Sequence, residues 1–118
     1  PLGVWAICDQ ETNQMIGSIK FEKLDEIKGE AELGYFLRKD FWGKGLMTEA
    51  VKELVYLSFE KFQLKELKIV THVENAGSQK VALKAGFRLF RQFKGSDRYT
   101  RKMRDYYDFR LGRGDFYE

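Results

Sequence analysis

Two periods run through this chain of 118 residues. Residues 3–8, 15–22, 31–37, 66–73, 87–93 and 102–111 are short runs rich in β-branched and aromatic side chains, which predicts strands. In the third run Ala31, Leu33, Tyr35 and Leu37 share one face, and Glu32, Gly34 and Phe36 share the other. In the fourth, Leu67, Ile69, Thr71 and Val73 alternate with Lys68, Val70 and His72. The period becomes helical over residues 47–62, where Met47, Ala50, Val51, Leu54, Val55, Ser58, Phe59 and Phe62 form one continuous face. A second, shorter helix is predicted to end at Ala85. Asn75 and Ser78 are both good helix-start residues, and Gly86 sits where helices end in the left-handed conformation. The polar stretch 9–14 joins the first two strands as a hairpin, and 23–30 reads as a charged loop. A strand, a glycine turn, a helix and a strand in that order require a crossover, so 31–37 and 66–73 are expected as parallel neighbours. The last strand is expected antiparallel to 87–93 across a loop at 94–101, and the tail 112–118 has no pattern that places it.

Composition narrows the class. With 43% hydrophobic and 33% charged residues, ten Phe, six Tyr and two Trp, the sequence reads as one α/β domain over residues 1–118, with a modest core. Its apolar runs are too short to span a bilayer, and no basic–apolar–small signal opens it, so no membrane partner is expected. One cysteine, Cys8, and one histidine, His72, supply neither an internal disulfide nor a metal constellation. A reducing, cytoplasmic location is the default expectation. His72 reads first as a surface or hydrogen-bonded residue and only second as a catalytic base. The net charge of +3 is unevenly spread: residues 88–113 hold Arg88, Arg91, Lys94, Arg98, Arg101, Lys102, Arg104, Arg110 and Arg113 against Asp97, Asp105 and Asp108. That run fits a nucleic-acid footprint, a solvated strand face or attraction for an anionic ligand. Arginines and aromatics alternate there as they do on strands, which disfavours the first.

The stretch with the clearest candidate chemistry is Phe41-Trp42-Gly43-Lys44-Gly45-Leu46-Met47-Thr48-Glu49-Ala50. Two glycines flank a lysine and a helix follows at once, so the first free N–H groups of that helix can face an anion. A phosphate cradle and an empty strand-to-helix loop are equally compatible with this stretch alone. It is not a Walker loop, since Gly43-Lys44 is followed by Gly45, nor a dinucleotide fingerprint, since Thr48 stands where Gly or Ala is needed. Glu32, a carboxylate in an otherwise apolar strand, is either solvent-facing or partly buried with a raised pKa. Gly34 marks a bulge or a close backbone approach.

The run AELGYFLRKDFWGKGLMTEAV, followed after one helix by KELKIVTHVENAGSQKVALKAGF, resembles the GNAT superfamily of acetyl-CoA-dependent N-acetyltransferases, closest to its RimJ/RimL-like branch. The resemblance spans roughly residues 3–111. It implies a mixed sheet whose central parallel strands, 31–37 and 66–73, splay apart to admit the pantetheine arm of acetyl-CoA. In that setting the arm pairs with backbone near Phe36 and Leu37, and the pyrophosphate rests on Gly43, Lys44, Gly45, Leu46, Met47 and Thr48. Asn75 contacts the arm. The family's turn pattern is Arg/Gln-x-x-Gly-x-Gly/Ala. Trp42 departs from it at the first place and Met47 at the last, while Gly45 keeps the glycine.

The implied reaction is direct attack of a primary amine on the thioester, with the acceptor either a protein N-terminus or a small amine. It needs a base, donors for the oxyanion and an acid for the departing thiolate. The tyrosine many members use as acid is replaced by Ala82, so the resemblance turns to Ser78, either as acid or as a group that orients the thioester. Glu32 matches the family's base, and no metal is implied. The family also carries a strand and one or two helices ahead of the hairpin, and these are expected to be missing here. A non-catalytic acyl-CoA-binding or regulatory module is therefore the second reading and a nucleic-acid-binding domain the third, with a homodimer left open.

Overall fold

A computed structural model describes residues 3–118, so Pro1 and Leu2 of the expected 1–118 domain lie outside the described residues. In chain order the elements are β1 (Val4–Cys8), β2 (Met15–Asp25), β3 (Glu30–Leu37), a 3-10 turn (Lys39–Phe41), α1 (Leu46–Glu60), β4 (Glu66–His72), α2 (Ala76–Lys84), β5 (Arg88–Ser96), β6 (Met103–Gly112) and α3 (Arg113–Phe116). The six strands form one open mixed sheet in the order β1-β2-β3-β4-β6-β5. Only β3 and β4 are parallel. This is the α/β class and the crossover expected from the alternation of periods.

The sequence expectation needs correcting at two places, and the structure places the tail that the sequence did not. The loop expected over 23–30 is shorter, because β2 runs on through Lys23, Leu24 and Asp25 past a register shift. Those residues are exposed on both faces and so lack the alternation that betrays a half-buried strand. The loop expected over 94–101 likewise begins only after Ser96. The tail closes as α3, whose Phe116 ring packs 5.2 Å from Phe59. Its anchor is a contact 57 residues away in sequence, between the Tyr117 hydroxyl and Glu60, which no local pattern reports.

α1 forms because its apolar residues recur at helical spacing, and it buries Met47, Val51, Leu54, Val55, Ser58 and Phe59 against the sheet. Ser58 is tolerated there because its hydroxyl donates to the Leu54 carbonyl at 2.6 Å. The sheet answers with Ile16, Ile19, Ala31, Leu33, Leu67, Ile69, Phe109 and Leu111. Trp5, Phe21 and Phe62 extend this core as a triangle of rings 5.6 to 6.3 Å apart. α2 adds Ala82 to the same core, and α3 adds Phe116. All three helices lie on one face of the sheet. The other face presents Lys20, Glu32, Gly34, Phe36, Lys68, His72, Tyr106 and Arg110, and no helix among the described residues covers it. No helix among them is long and apolar enough to cross a membrane.

The parallel pairing is short. It runs from Glu30 opposite Glu66 to Leu33 opposite Ile69 and stops. Beyond that point β3 stays paired with β2 as far as Leu37, and β4 stays paired with β6 as far as His72. The sheet therefore opens into a slot between residues 34–37 and 70–72, at the carboxyl ends of its two parallel strands.

Candidate functional site

The glycine turn stands at the open end of this slot. After Leu37 the chain makes its 3-10 turn and passes through Gly43 and Gly45, whose φ values of 80° and 77° are both left-handed. A Cβ at either glycine would meet nothing within 4 Å, so backbone conformation alone selects glycine there. Trp42 ties the turn to the strand it leaves: its Nε1 donates to the Leu37 carbonyl at 2.8 Å. Gly45 is the N-cap of α1 and no side chain caps it. The first backbone bond of the helix is Glu49 N–H to the Gly45 carbonyl, so the N–H groups of Leu46, Met47 and Thr48 have no carbonyl within the helix to bond. Met47, the bulkier departure from the family pattern, is 7% exposed because its side chain belongs to the core. Its N–H stays at the turn and its bulk does not. At the rim, the Lys44 Nζ and the Arg38 guanidinium lie 5.2 and 5.4 Å from the Phe41 ring centre. Arg38 also clasps Asp40 at 3.2 and 2.7 Å.

α2 begins beside the other wall of the slot. Asn75 is its N-cap, accepting the Ser78 N–H on Oδ1 at 3.0 Å, so the capping role read for it is real. Phe36 is exposed on the open face, while the Leu37 side chain is buried and its carbonyl already accepts from Trp42. Ser78 reaches back across to β3: its Oγ lies 2.8 Å from the Tyr35 hydroxyl, which also approaches the Ser78 carbonyl at 3.4 Å. Burial pushes the Tyr35 phenol up, and the bond to Ser78 offsets only part of this, so the hydroxyl stays protonated. Sequence reading placed Tyr35 on the core face and went no further. The available signal was its polar tip, since a buried tyrosine hydroxyl needs a partner. Ala82, in the vacant acid position, is fully buried in the core.

Glu32 is not brought together with Ser78. It is half-buried on the open face, within the last two paired rungs, with Lys23 opposite on β2 and Lys68 opposite on β4. It lines a shallow cavity of about 250 Å³ with Lys23, Glu30, Glu66, Lys68 and Arg110. Glu32 and Ser78 thus flank the slot from opposite faces of the sheet. His72, at the end of β4, stacks on Tyr106 at 4.7 Å between ring centres. Its Nε2 lies 3.4 Å from the Asp97 carboxylate, as expected for a partnered residue.

Much of the basic run at 88–113 is spent on carboxylates. Asp108 is fully buried beneath Arg91 at 3.1 Å, Arg110 at 3.1 Å and Lys68 at 3.8 Å. Arg104 pairs with Glu74, and Lys94 lies 3.8 Å from Asp105. These pairs favour the strand-face reading over a nucleic-acid footprint.

The GNAT acetyltransferase domain model matches residues 1–88. The chain belongs to the GNAT family. Among its relatives, the uncharacterized N-acetyltransferase p20 of Bacillus licheniformis is 30% identical over 107 residues, which is 91% of this chain and 60% of that protein. The ribosomal-protein-serine acetyltransferase of Escherichia coli strain K12 is 31% identical over 75 residues, 64% of this chain and 42% of that one. Relatives named for ribosomal proteins put this GNAT domain with the RimJ/RimL-like branch. A solved structure of the microcin C7 self-immunity acetyltransferase MccE, in complex with acetyl-CoA and AMP, superimposes with a TM-score of 0.77 at 25% identity, covering 85% of this chain and 56% of that one. The GNAT domain spans between 40% and 60% of the length of the curated relatives it matches.

Proposed function

We propose that this GNAT domain transfers an acetyl group from acetyl-CoA to a primary amine, the N-terminus of a protein or a small amine, by direct attack on the thioester. The observation that carries the reading is the loss of pairing between β3 and β4 beyond Leu33 and Ile69, at the end of the sheet where the uncapped N-terminus of α1 lies. Ligands of open α/β sheets bind at such carboxyl-end crevices. The slot suits the pantetheine arm, with Phe36, Leu37 and Asn75 as its neighbours. The left-handed turn through Gly43, Lys44 and Gly45, with the N–H groups of Leu46, Met47 and Thr48, suits the pyrophosphate. The rim cations Lys44 and Arg38 favour the approach of an anionic cofactor.

Acetyl-CoA, when bound, supplies the activated thioester; the protein orients it and moves protons. The amine loses a proton as it attacks, negative charge gathers on the carbonyl oxygen, and the thiolate leaves. Ser78 is the proposed donor toward the sulfur. Tyr35 makes this workable: with its own proton given to Ser78 Oγ, the serine proton is free to point into the slot. Glu32, on the opposite face, is the proposed base, acting through water. Flanking the slot from opposite faces keeps the carboxylate and the donor from neutralising each other.

Thiol release with saturating acetyl-CoA and seryl peptides, alanyl peptides or spermidine tests the proposal. Amine-dependent release is expected. Binding of acetyl-CoA with no release for any amine would favour the non-catalytic module. Glu32→Gln is expected to lower turnover while leaving acetyl-CoA affinity near that of the parent, and an unchanged pH–rate profile would remove Glu32 from the mechanism. Tyr35→Phe is expected to lower kcat by about tenfold, the scale of one hydrogen bond, with KM for acetyl-CoA little changed. Equal kcat would show that Ser78 acts without it. A reducing, cytoplasmic setting fits the exposed, unpaired Cys8.

A further inference from the structure

A second carboxylate stands on the open face of the slot. β2 and β3 pair in step from Gly17 opposite Leu37 to Phe21 opposite Leu33, and then slip, so that Lys23 stands opposite Glu32. Glu22 is the extra residue of this β-bulge. Bulges re-aim side chains and are frequent beside active sites. Here the bulge lays the Glu22 side chain across Gly34: a Cβ on Gly34 would meet Glu22 Cγ at 2.4 Å and Oε1 at 2.7 Å. Gly34 is the first residue of β3 beyond the last rung shared with β4. The Glu22 carboxylate thus covers the closed end of the slot, whereas Glu32 belongs to a rung that is still paired. Gly34 is glycine because Glu22 needs the space.

Glu22 already holds cations there. Lys20 Nζ lies 3.5 Å away on the same strand. Arg98 Nη2 lies 4.0 Å away, reaching over from the turn between β5 and β6, beyond the far wall of the slot. The Arg98 side chain is 67% exposed, and an ion pair of that kind contributes little and exchanges readily. A second ammonium group can take its place at little cost.

We infer that Glu22 is the acceptor-binding carboxylate: it receives the ammonium group of a primary amine on the open face and holds the nitrogen over Gly34. The inference rests on the acetyl-transfer reading of the slot and adds to it the residue that selects a cationic acceptor. Glu32, two residues back on the same face, is left to take up the proton.

The test uses the full chain with CoA, which cannot turn over, and spermidine as the probe amine. With glutamate carboxyls labelled with carbon-13, the Glu22 resonance is identified by its loss in Glu22→Gln. It is expected to move as spermidine is added, and spermidine is expected to bind Glu22→Gln about tenfold more weakly, the cost of one charge-assisted bond. Gly34→Ala keeps the charge and displaces it, so it should weaken spermidine as well. A Glu22 resonance that does not move, or equal spermidine affinity in Glu22→Gln, overturns the inference. Failure of CoA to bind would instead count against the acetyl-transfer reading, and the spermidine titration without CoA still reads Glu22.

Discussion

Gly45→Val is expected to weaken acetyl-CoA binding by about tenfold to a hundredfold. Gly45 holds a φ of 77°, and β-branched residues reach that region only at a cost of about 1–3 kcal/mol. Nothing lies within 4 Å of a Cβ there, so crowding adds no penalty and the core beneath is untouched. The chain escapes the strain by turning the Gly45 peptide, and this re-aims the N–H groups of Leu46 and Met47 that follow it. An anion cradle made of backbone donors loses its geometry even though no side chain in it has changed. Gly45→Ala should fall between parent and Val, because the left-handed conformation costs an unbranched side chain less than a β-branched one. Isothermal titration of acetyl-CoA into the three proteins checks this. Equal affinity across the series would mean that the turn does not bind the pyrophosphate.

Asp108→Asn is expected to destabilise the fold by about 2–3 kcal/mol, a drop in Tm of about 10 °C. Asp108 is fully buried on the open face of the sheet, and its partners come from three strands: Lys68 on β4, Arg91 on β5 and Arg110 on its own β6. Burial pushes its carboxyl up, but hydrogen bonds from Arg110 and Arg91 outweigh burial and hold it below the usual carboxylate range. Removing the charge leaves three cations facing one another. They are partly exposed, so water relieves some of the cost, which places the estimate below that of a fully buried pair. A carboxylate depressed in the folded chain contributes stability that is complete above its unfolded pKa and disappears as pH falls through the folded one. The parent should therefore lose stability on acidification through that window, and Asp108→Asn should lose less over the same range. Thermal melts from neutral to acidic pH read both effects, and parallel curves would remove Asp108 from the account.

The fold was legible where local chemistry and tertiary structure agree. Alternation in 31–37 and 66–73, with a glycine turn and one helix between them, required a parallel pair, and Glu30–Leu37 beside Glu66–His72 is that pair. Asn75 and Gly86 announced the ends of α2 by capping chemistry, and they appear as a side-chain N-cap and a φ of 99°. Met47 could be read as a core residue from its period, and its burial explains how a large side chain is accommodated beside the turn.

What escaped the sequence depends on distance along the chain. The bond between Tyr35 and Ser78 joins residues 43 apart, and neither side chain signals the other. Glu22 read as the last residue of the strand 15–22, and nothing in the sequence marks the bulge that follows Phe21. Three readings stayed open for the basic segment 88–113, because nothing local shows that several of its arginines are fastened to carboxylates on neighbouring strands or loops. Motif spacing located the glycine turn and the family resemblance implied that the parallel strands part beside it, while the register shows that they part beyond Leu33 and Ile69.

The central claim is that this slot and turn form an acetyl-CoA site, and a calorimetric titration of acetyl-CoA into the full chain tests it most directly. The account predicts saturable one-to-one binding below millimolar concentration, competed by CoA. No heat of binding at millimolar acetyl-CoA would contradict it.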